Sequence, residues 1–157
     1  DQCPRIKSGC LERGVRVRVV ASDFQLLEPR IQKMFRELEE STKDCTSFHL
    51  NLCVSYGGRS EITKAARKVC LDVAEGKIRS ADQIMESHID RYMLTQGFPD
   101  PDLVVRTSGE HRLSNFLLWQ LAYAEMEFVQ KHWPELDESD FVKILRTFSR
   151  RKRRFGK

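Results

Sequence analysis

The stretch "SFHLNLCVSYGGRSEITKAARKVCLDV", residues 47–73, decides the fold class. Its first ten residues are strand-like, "GGR" breaks the run, and Ile62, Ala65, Ala66, Val69, Cys70 and Val73 then recur at helical spacing. Upstream, "VRVRVVAS", residues 15–22, alternates Val15, Val17 and Val19 with Arg16 and Arg18, the pattern of a strand with one buried face. Between the two, residues 23–43 place Ile31, Met34, Phe35 and Leu38 on one helical face, with Pro29 suited to a first turn. Strand, helix, strand and helix at these distances predict βαβ units and a parallel sheet covered on both faces.

The second half continues the alternation. "SADQIMESHIDRYM", residues 80–93, predicts a short polar helical segment leading to the turn "GFPDP", and Leu103, Val104 and Val105 predict a short buried strand. "NFLLWQLAYAEMEF", residues 115–128, is apolar enough for a buried helix that turns into a strand near residues 126–129. Trp119 and Trp133 are expected in the core. Asp100 and Asp102, beside Pro99 and Pro101, are expected as turn formers. Residues 133–151 close with a helix whose acidic start and basic finish complement its dipole.

With 157 residues and 40% hydrophobic content the chain has the size and apolar share of one domain. It has no run of the roughly 18 to 20 apolar residues a membrane helix needs, and "DQCPRIKSGC" lacks the apolar stretch of a secretion signal, so the expectation is a soluble, cytoplasmic protein. Five cysteines without a C-x-x-C pair point to neither a zinc site nor a complete disulfide framework. Cys53 and Cys70 fall in apolar segments, where cysteine acts as a small hydrophobe. The net charge of +4 is concentrated in residues 143–157, which carry eight Lys and Arg and no acid, while residues 1–142 are net acidic.

In open parallel sheets ligands bind beyond the carboxyl ends of the strands. Two loops are expected there. "SYGGRSE", residues 55–61, offers backbone amides and a helix start to an anion, although by itself it reads more simply as a tight strand-to-helix turn. "RTSGEHRLSNF", residues 106–116, sets Arg106, Arg112 and Ser114 around Gly109, a donor set suited to phosphate oxygens. Helix capping and surface ion pairing explain the same residues about as well. Glu125, in the apolar "LAYAEME", needs a cationic partner or a metal, and His111 is a candidate ligand or proton carrier. The basic tail alone admits a solvated charge run, a nucleic-acid patch or part of a diphosphate site.

Taken together, "VRVRVV", "HLNLCVSYGGRSEI", "PDPDLVVRTSGEHRLSNFLLWQLAYAEMEF", "WPEL" and "RRKRRFG" resemble, in order and spacing, the cis-prenyltransferase family of undecaprenyl and dehydrodolichyl diphosphate synthases. The resemblance implies an α/β, three-layer fold with a central, mostly parallel β-sheet flanked by helices. It implies Mg²⁺-dependent condensation of isopentenyl diphosphate with an allylic diphosphate such as farnesyl diphosphate. By residue, it assigns Arg106, Arg112, Leu113 and Ser114 to the diphosphate of isopentenyl diphosphate, and Glu125 with His111 to Mg²⁺. Arg154, Phe155 and Gly156 match a terminal R-x-G that reaches an active site across a dimer interface. The implied assembly is a homodimer or heteromer, with peripheral membrane contact through the product and no nucleic-acid partner.

Two departures from the family pattern stand out. Ser55 replaces the Asn that commonly precedes "YGGR", and the D-G-N-G-R-W loop with the catalytic aspartate and the later E-N-W segment are both missing. Residues 1–157 are therefore expected to be the C-terminal portion of one cis-prenyltransferase domain and to be inactive alone. The catalytic aspartate is expected upstream of Asp1, and none of the aspartates from Asp1 onward is assigned that role. One rival reading is a noncatalytic partner subunit. The retained diphosphate residues argue against it.

Overall fold

A helix that periodicity does not announce, α1 (Cys3–Glu12), opens the fold and turns at Gly14 into β1 (Val15–Val20). The turn demands glycine: φ is +64°, and a Cβ there would stand 2.5 Å from Ser47 Oγ. The remaining elements are α2 (Pro29–Thr42), β2 (Phe48–Cys53), α3 (Gly58–Ala74), α4 (Glu86–Asp90), β3 (Leu103–Arg106), β4 (Glu125–Phe128) and α5 (Glu138–Ser149). The computed structural model describes residues 3–151. Asp1, with the catalytic aspartate expected ahead of it, and the expectations for Arg154, Phe155 and Gly156 therefore lie outside the described residues. The chain divides into two compact units, residues 1–96 and residues 97–157.

In the first unit β1 and β2 form a parallel ladder, Val15 opposite Phe48 through Val20 opposite Cys53, with α2 as the crossover. Cys10, Val17 and Leu38 bring α1, β1 and α2 together, with Val15 and Leu52 packed against them. Each aliphatic side chain buried there contributes about 1.5–3 kcal/mol of transfer free energy. On its other edge β1 has no strand neighbour among the described residues, yet two of its amides are satisfied. Val17 N donates to Thr42 Oγ1 at 3.0 Å and Val19 N to Glu39 Oε1 at 2.8 Å, both from α2.

In the second unit β3 and β4 are also parallel, Leu103 opposite Glu125 and Arg106 opposite Phe128. The α/β class with parallel strands and flanking helices is therefore as expected. The buried helix expected from residue 115 is not formed. Residues 115–124 are a chain of turns, because Ser114, Asn115 and Leu117 have φ of +50°, +65° and +41°, outside the right-handed helical region. Leu117 and Leu121 are nevertheless buried four residues apart, joined by Leu121 N to Leu117 O at 3.0 Å. That spacing imitates helical periodicity.

Trp133 also departs from expectation: it is 63% exposed, edge-on to Phe141 with centroids 6.1 Å apart. Trp119 is half-buried. Cys10, Cys45, Cys53 and Cys70 are free thiols, and Cys70 faces outward from α3 rather than into a core. No described helix is long and apolar enough to cross a membrane.

Candidate active site

The carboxyl ends of β1 and β2 carry two loops stitched together. Ser22 N and Asp23 N donate to Ser55 O at 3.1 and 3.4 Å, and Gly57 N donates to Ser22 Oγ at 2.9 Å. Ser55 takes φ of +45°, a conformation that Asn tolerates better than Ser, so the family's Asn at this position has a backbone reason. The glycine turn is a strand-to-helix turn whose Gly57 amide already serves Ser22. Sequence reasoning missed Glu61. It is only 1% exposed, accepts from Tyr56 Oη at 2.5 Å and Leu94 N at 2.6 Å, and so ties the turn to the segment after α4.

The second unit holds the "RTSGEHRLSNF" loop at the carboxyl end of β3. Ser108 N donates to Lys131 O at 2.9 Å and Gly109 N to Val129 O at 3.0 Å, pinning the loop to the chain leaving β4. Ser108 Oγ lies 3.0 Å from His132 Nδ1. Gly109 has φ of +64°, and a Cβ there would meet Gln130 Oε1 at 2.6 Å, which accounts for glycine at this corner.

Arg106 ends β3, and its Nε is buried without a hydrogen-bond partner. A desolvated guanidinium donor with no acceptor is costly, and an anion bound beside it would remove that cost. Arg112 is exposed and pairs with Glu110, so its charge is already compensated by a carboxylate. Leu113 is half-buried and its carbonyl accepts from Phe116 N at 3.0 Å, while Ser114 is exposed. His111 packs tilted against Phe128, centroids 4.5 Å apart and ring planes at 42°.

Ladder partners project from the same face and neighbours along a strand alternate. Arg106 and Phe128 therefore share one face of the β3–β4 ladder, while Glu125 and Glu127 share the opposite face. There Arg151, just after α5, clasps both carboxylates: Nη1 lies 3.2 Å from Glu125 Oε2 and donates to Met126 O at 2.9 Å, and Nη2 meets Glu127 Oε2. This clasp was not foreseen. Its only sequence signal is a carboxylate in apolar surroundings that needs a cation.

Glu125 and His111 are thus not brought together within the chain, and no group of three His, Cys, Asp or Glu among the described residues could hold a metal ion. Glu125 alone offers one carboxylate, about one-third exposed and already paired with Arg151, so the described residues do not make up a site for a hard cation such as Mg²⁺. The His111 ring, committed to Phe128, does not complete that site.

Comparison with known proteins supplies the frame for this geometry. The sequence matches the family described as putative undecaprenyl diphosphate synthase over residues 4–156. It is 46% identical over 144 residues to a tritrans,polycis-undecaprenyl-diphosphate synthase (geranylgeranyl-diphosphate specific) of Thermococcus kodakarensis, covering 92% of this chain and 54% of that protein. It is also 46% identical over 143 residues to an isoprenyl transferase of Agrobacterium fabrum, covering 91% and 57%. The chain thus spans about half the length of these curated relatives.

Among solved structures, lavandulyl diphosphate synthase from Lavandula x intermedia, in complex with dimethylallyl diphosphate, superposes with a TM-score of 0.92 at 32% identity, covering all of this chain and 67% of that one. A probable undecaprenyl diphosphate synthase from Campylobacter jejuni gives 0.79 at 34% identity, covering 98% and 71%. A match this long in sequence and this close in backbone takes in the glycine turn, the arginine loop and the acidic strand alike: the chain belongs to the cis-prenyltransferase family.

Proposed function

We propose that the chain supplies the isopentenyl diphosphate side of a cis-prenyl chain-elongating site. The carrying observation is Arg106, whose buried Nε has no partner at the carboxyl end of a parallel strand, the position where such sheets bind ligands. Arg106 offers fixed donors to the diphosphate oxygens. Arg112 exchanges Glu110 for the same anion, and the Ser114 hydroxyl with the Leu113 segment closes over it. Donors held by a strand end and a pinned loop need little reorganisation when the anion arrives.

In the reaction the allylic C1–O bond breaks as the isopentenyl double bond forms the new C–C bond, diphosphate leaves, and a proton is lost from the isopentenyl unit to give a cis double bond. Mg²⁺, if bound, would compensate diphosphate charge, and Glu125 would be one oxygen donor to it. The aspartate loop that the family carries ahead of the position of Asp1 supplies the allylic half, so the 157 residues alone bind isopentenyl diphosphate without turning it over. The allylic partner is a prenyl diphosphate, the class named in the archaeal relative and in the lavandulyl synthase complex. The assembly is a homodimer completed by Arg154 and Gly156, and a long-chain product brings it to membrane surfaces.

Calorimetric titration of the chain with isopentenyl diphosphate tests the reading. Arg106→Ala is expected to weaken binding by a factor of about 10–100, the loss of one or two charge-assisted hydrogen bonds. Unchanged affinity in a folded Arg106→Ala protein defeats the assignment.

A further inference from the structure

The arginine loop turns back on itself before it reaches Arg112. Glu110 N donates to Thr107 O at 3.4 Å, and Ser108 and Gly109 between them have φ of +65° and +64°. Both central residues of this turn are left-handed, a conformation in which glycine and asparagine are at ease and serine is strained. Arg106 stands on one arm of the turn and Arg112 on the other. Serine here brings what glycine lacks, a hydroxyl, and Ser108 Oγ lies 3.0 Å from His132 Nδ1. A hydroxyl both donates and accepts, so the bond forms whether or not that ring nitrogen carries the proton.

His132 is better anchored than the loop it meets. Its N donates to Glu135 Oε2 at 2.7 Å, at the start of the single 3-10 turn Trp133–Glu135. Before it, Lys131 Nζ reaches Asp140 Oδ2 on α5 at 2.7 Å, and after it Trp133 lies edge-on to Phe141 of the same helix. The backbone bonds that pin Ser108 N and Gly109 N ask nothing of the side chains. The bond between Ser108 and His132 depends on both. We propose that His132 is a positioning residue for diphosphate binding, holding through Ser108 the turn that carries Arg106 and Arg112 on its arms. The inference rests on the assignment of those two arginines to the diphosphate made above. Without His132 the strained residue of the turn loses a restraint, and the arriving anion has to order the loop itself.

The test is calorimetric titration of the full chain with isopentenyl diphosphate, with thermal unfolding of the same samples followed by circular dichroism. His132→Ala is expected to weaken binding about two- to tenfold, the scale of one side-chain hydrogen bond. His132→Asn, whose side-chain oxygen replaces Nδ1 as the hydroxyl's partner, is expected to bring affinity back to within about twofold of wild type. Ser108→Ala is expected to match His132→Ala, and the double variant to be no weaker than either. A histidine that only supports the fold would lower Tm and leave the affinity of the folded protein unchanged, and that result overturns the inference. Effects that add in the double variant, or a His132→Asn protein as weak as His132→Ala, overturn it as well. In each of these cases binding that still falls in Arg106→Ala leaves the diphosphate reading standing. Binding that is absent from the wild type, or indifferent to Arg106→Ala, removes that reading and the role of His132 with it.

Discussion

Asp72 illustrates how much a single buried group in this chain depends on its partners. It is 3% exposed on α3, where Tyr92 Oη donates to Oδ2 at 2.5 Å and Lys77 Nζ lies 3.3 Å from Oδ1. The Tyr92 hydroxyl first, and the Lys77 ammonium after it, hold the Asp72 carboxyl below the usual carboxylate range against the opposing cost of burial. A depressed folded value means that the stabilisation is fully present above the ordinary value near 4 and is lost as pH falls through the lower folded value. Asp72→Asn is therefore expected to lower Tm at neutral pH and to flatten the acid limb below about pH 4. Calorimetric scans from neutral to acid pH check this, and parallel acid limbs for the two proteins would count against it. Nothing in "VCLDVA" distinguishes Asp72 from an exposed helical aspartate, because Tyr92 is twenty residues away. Arg106 and Arg112 stand out in the sequence because their charges sit beside a glycine at a strand end. The partners Glu110, Glu127 and Arg151 decide what those neighbourhoods can do, and they are visible only in three dimensions.

Elements with a clean period were legible, and those held together by side-chain substitution for backbone were not. β1, α2, β2, α3, β3 and α5 follow from alternation, helical spacing and dipole-matched charge. Residues 115–124 read as helix because Leu117 and Leu121 are buried four apart, yet Asn115 and Leu117, with Ser114 just before them, are left-handed and keep the start of the stretch out of a helix. The edge of β1 is the subtler case. A strand that lacks a neighbour is expected to expose its amides, but α2 lends Glu39 and the completely buried Thr42 as acceptors. The Thr42 hydroxyl also donates to Leu38 O at 2.9 Å, so both its roles are used. Thr42→Val keeps the volume and leaves the buried Val17 amide without an acceptor, a loss expected to cost about 1–3 kcal/mol. Urea unfolding gives the number, with Thr42→Ser as the control that keeps the hydroxyl. A change below about 0.5 kcal/mol would mean that the amide finds water instead.

At the scale of the whole molecule, the division of the site residues over two faces of the β3–β4 ladder bears on assembly. Arg106 shares a face with Phe128 and His111, whereas Glu125 and the Arg151 segment that precedes Arg154 lie on the other. The proposed homodimer predicts that Arg112 of one copy and Arg154 of the other serve the same site. Subunit mixing separates this from a site completed within one chain. Arg112→Ala and Arg154→Ala each remove one contribution, and each homodimer is expected to bind isopentenyl diphosphate weakly. In a mixed dimer one site inherits both defects, while the other combines an intact Arg112 with an intact Arg154. Random exchange of equal amounts makes half the dimers mixed, so about a quarter of all sites recover high affinity. Calorimetry of the mixture reads that fraction directly as a stoichiometry. If Arg154 instead serves its own chain, every site in the mixture carries a defect, and no tight binding returns at any mixing ratio.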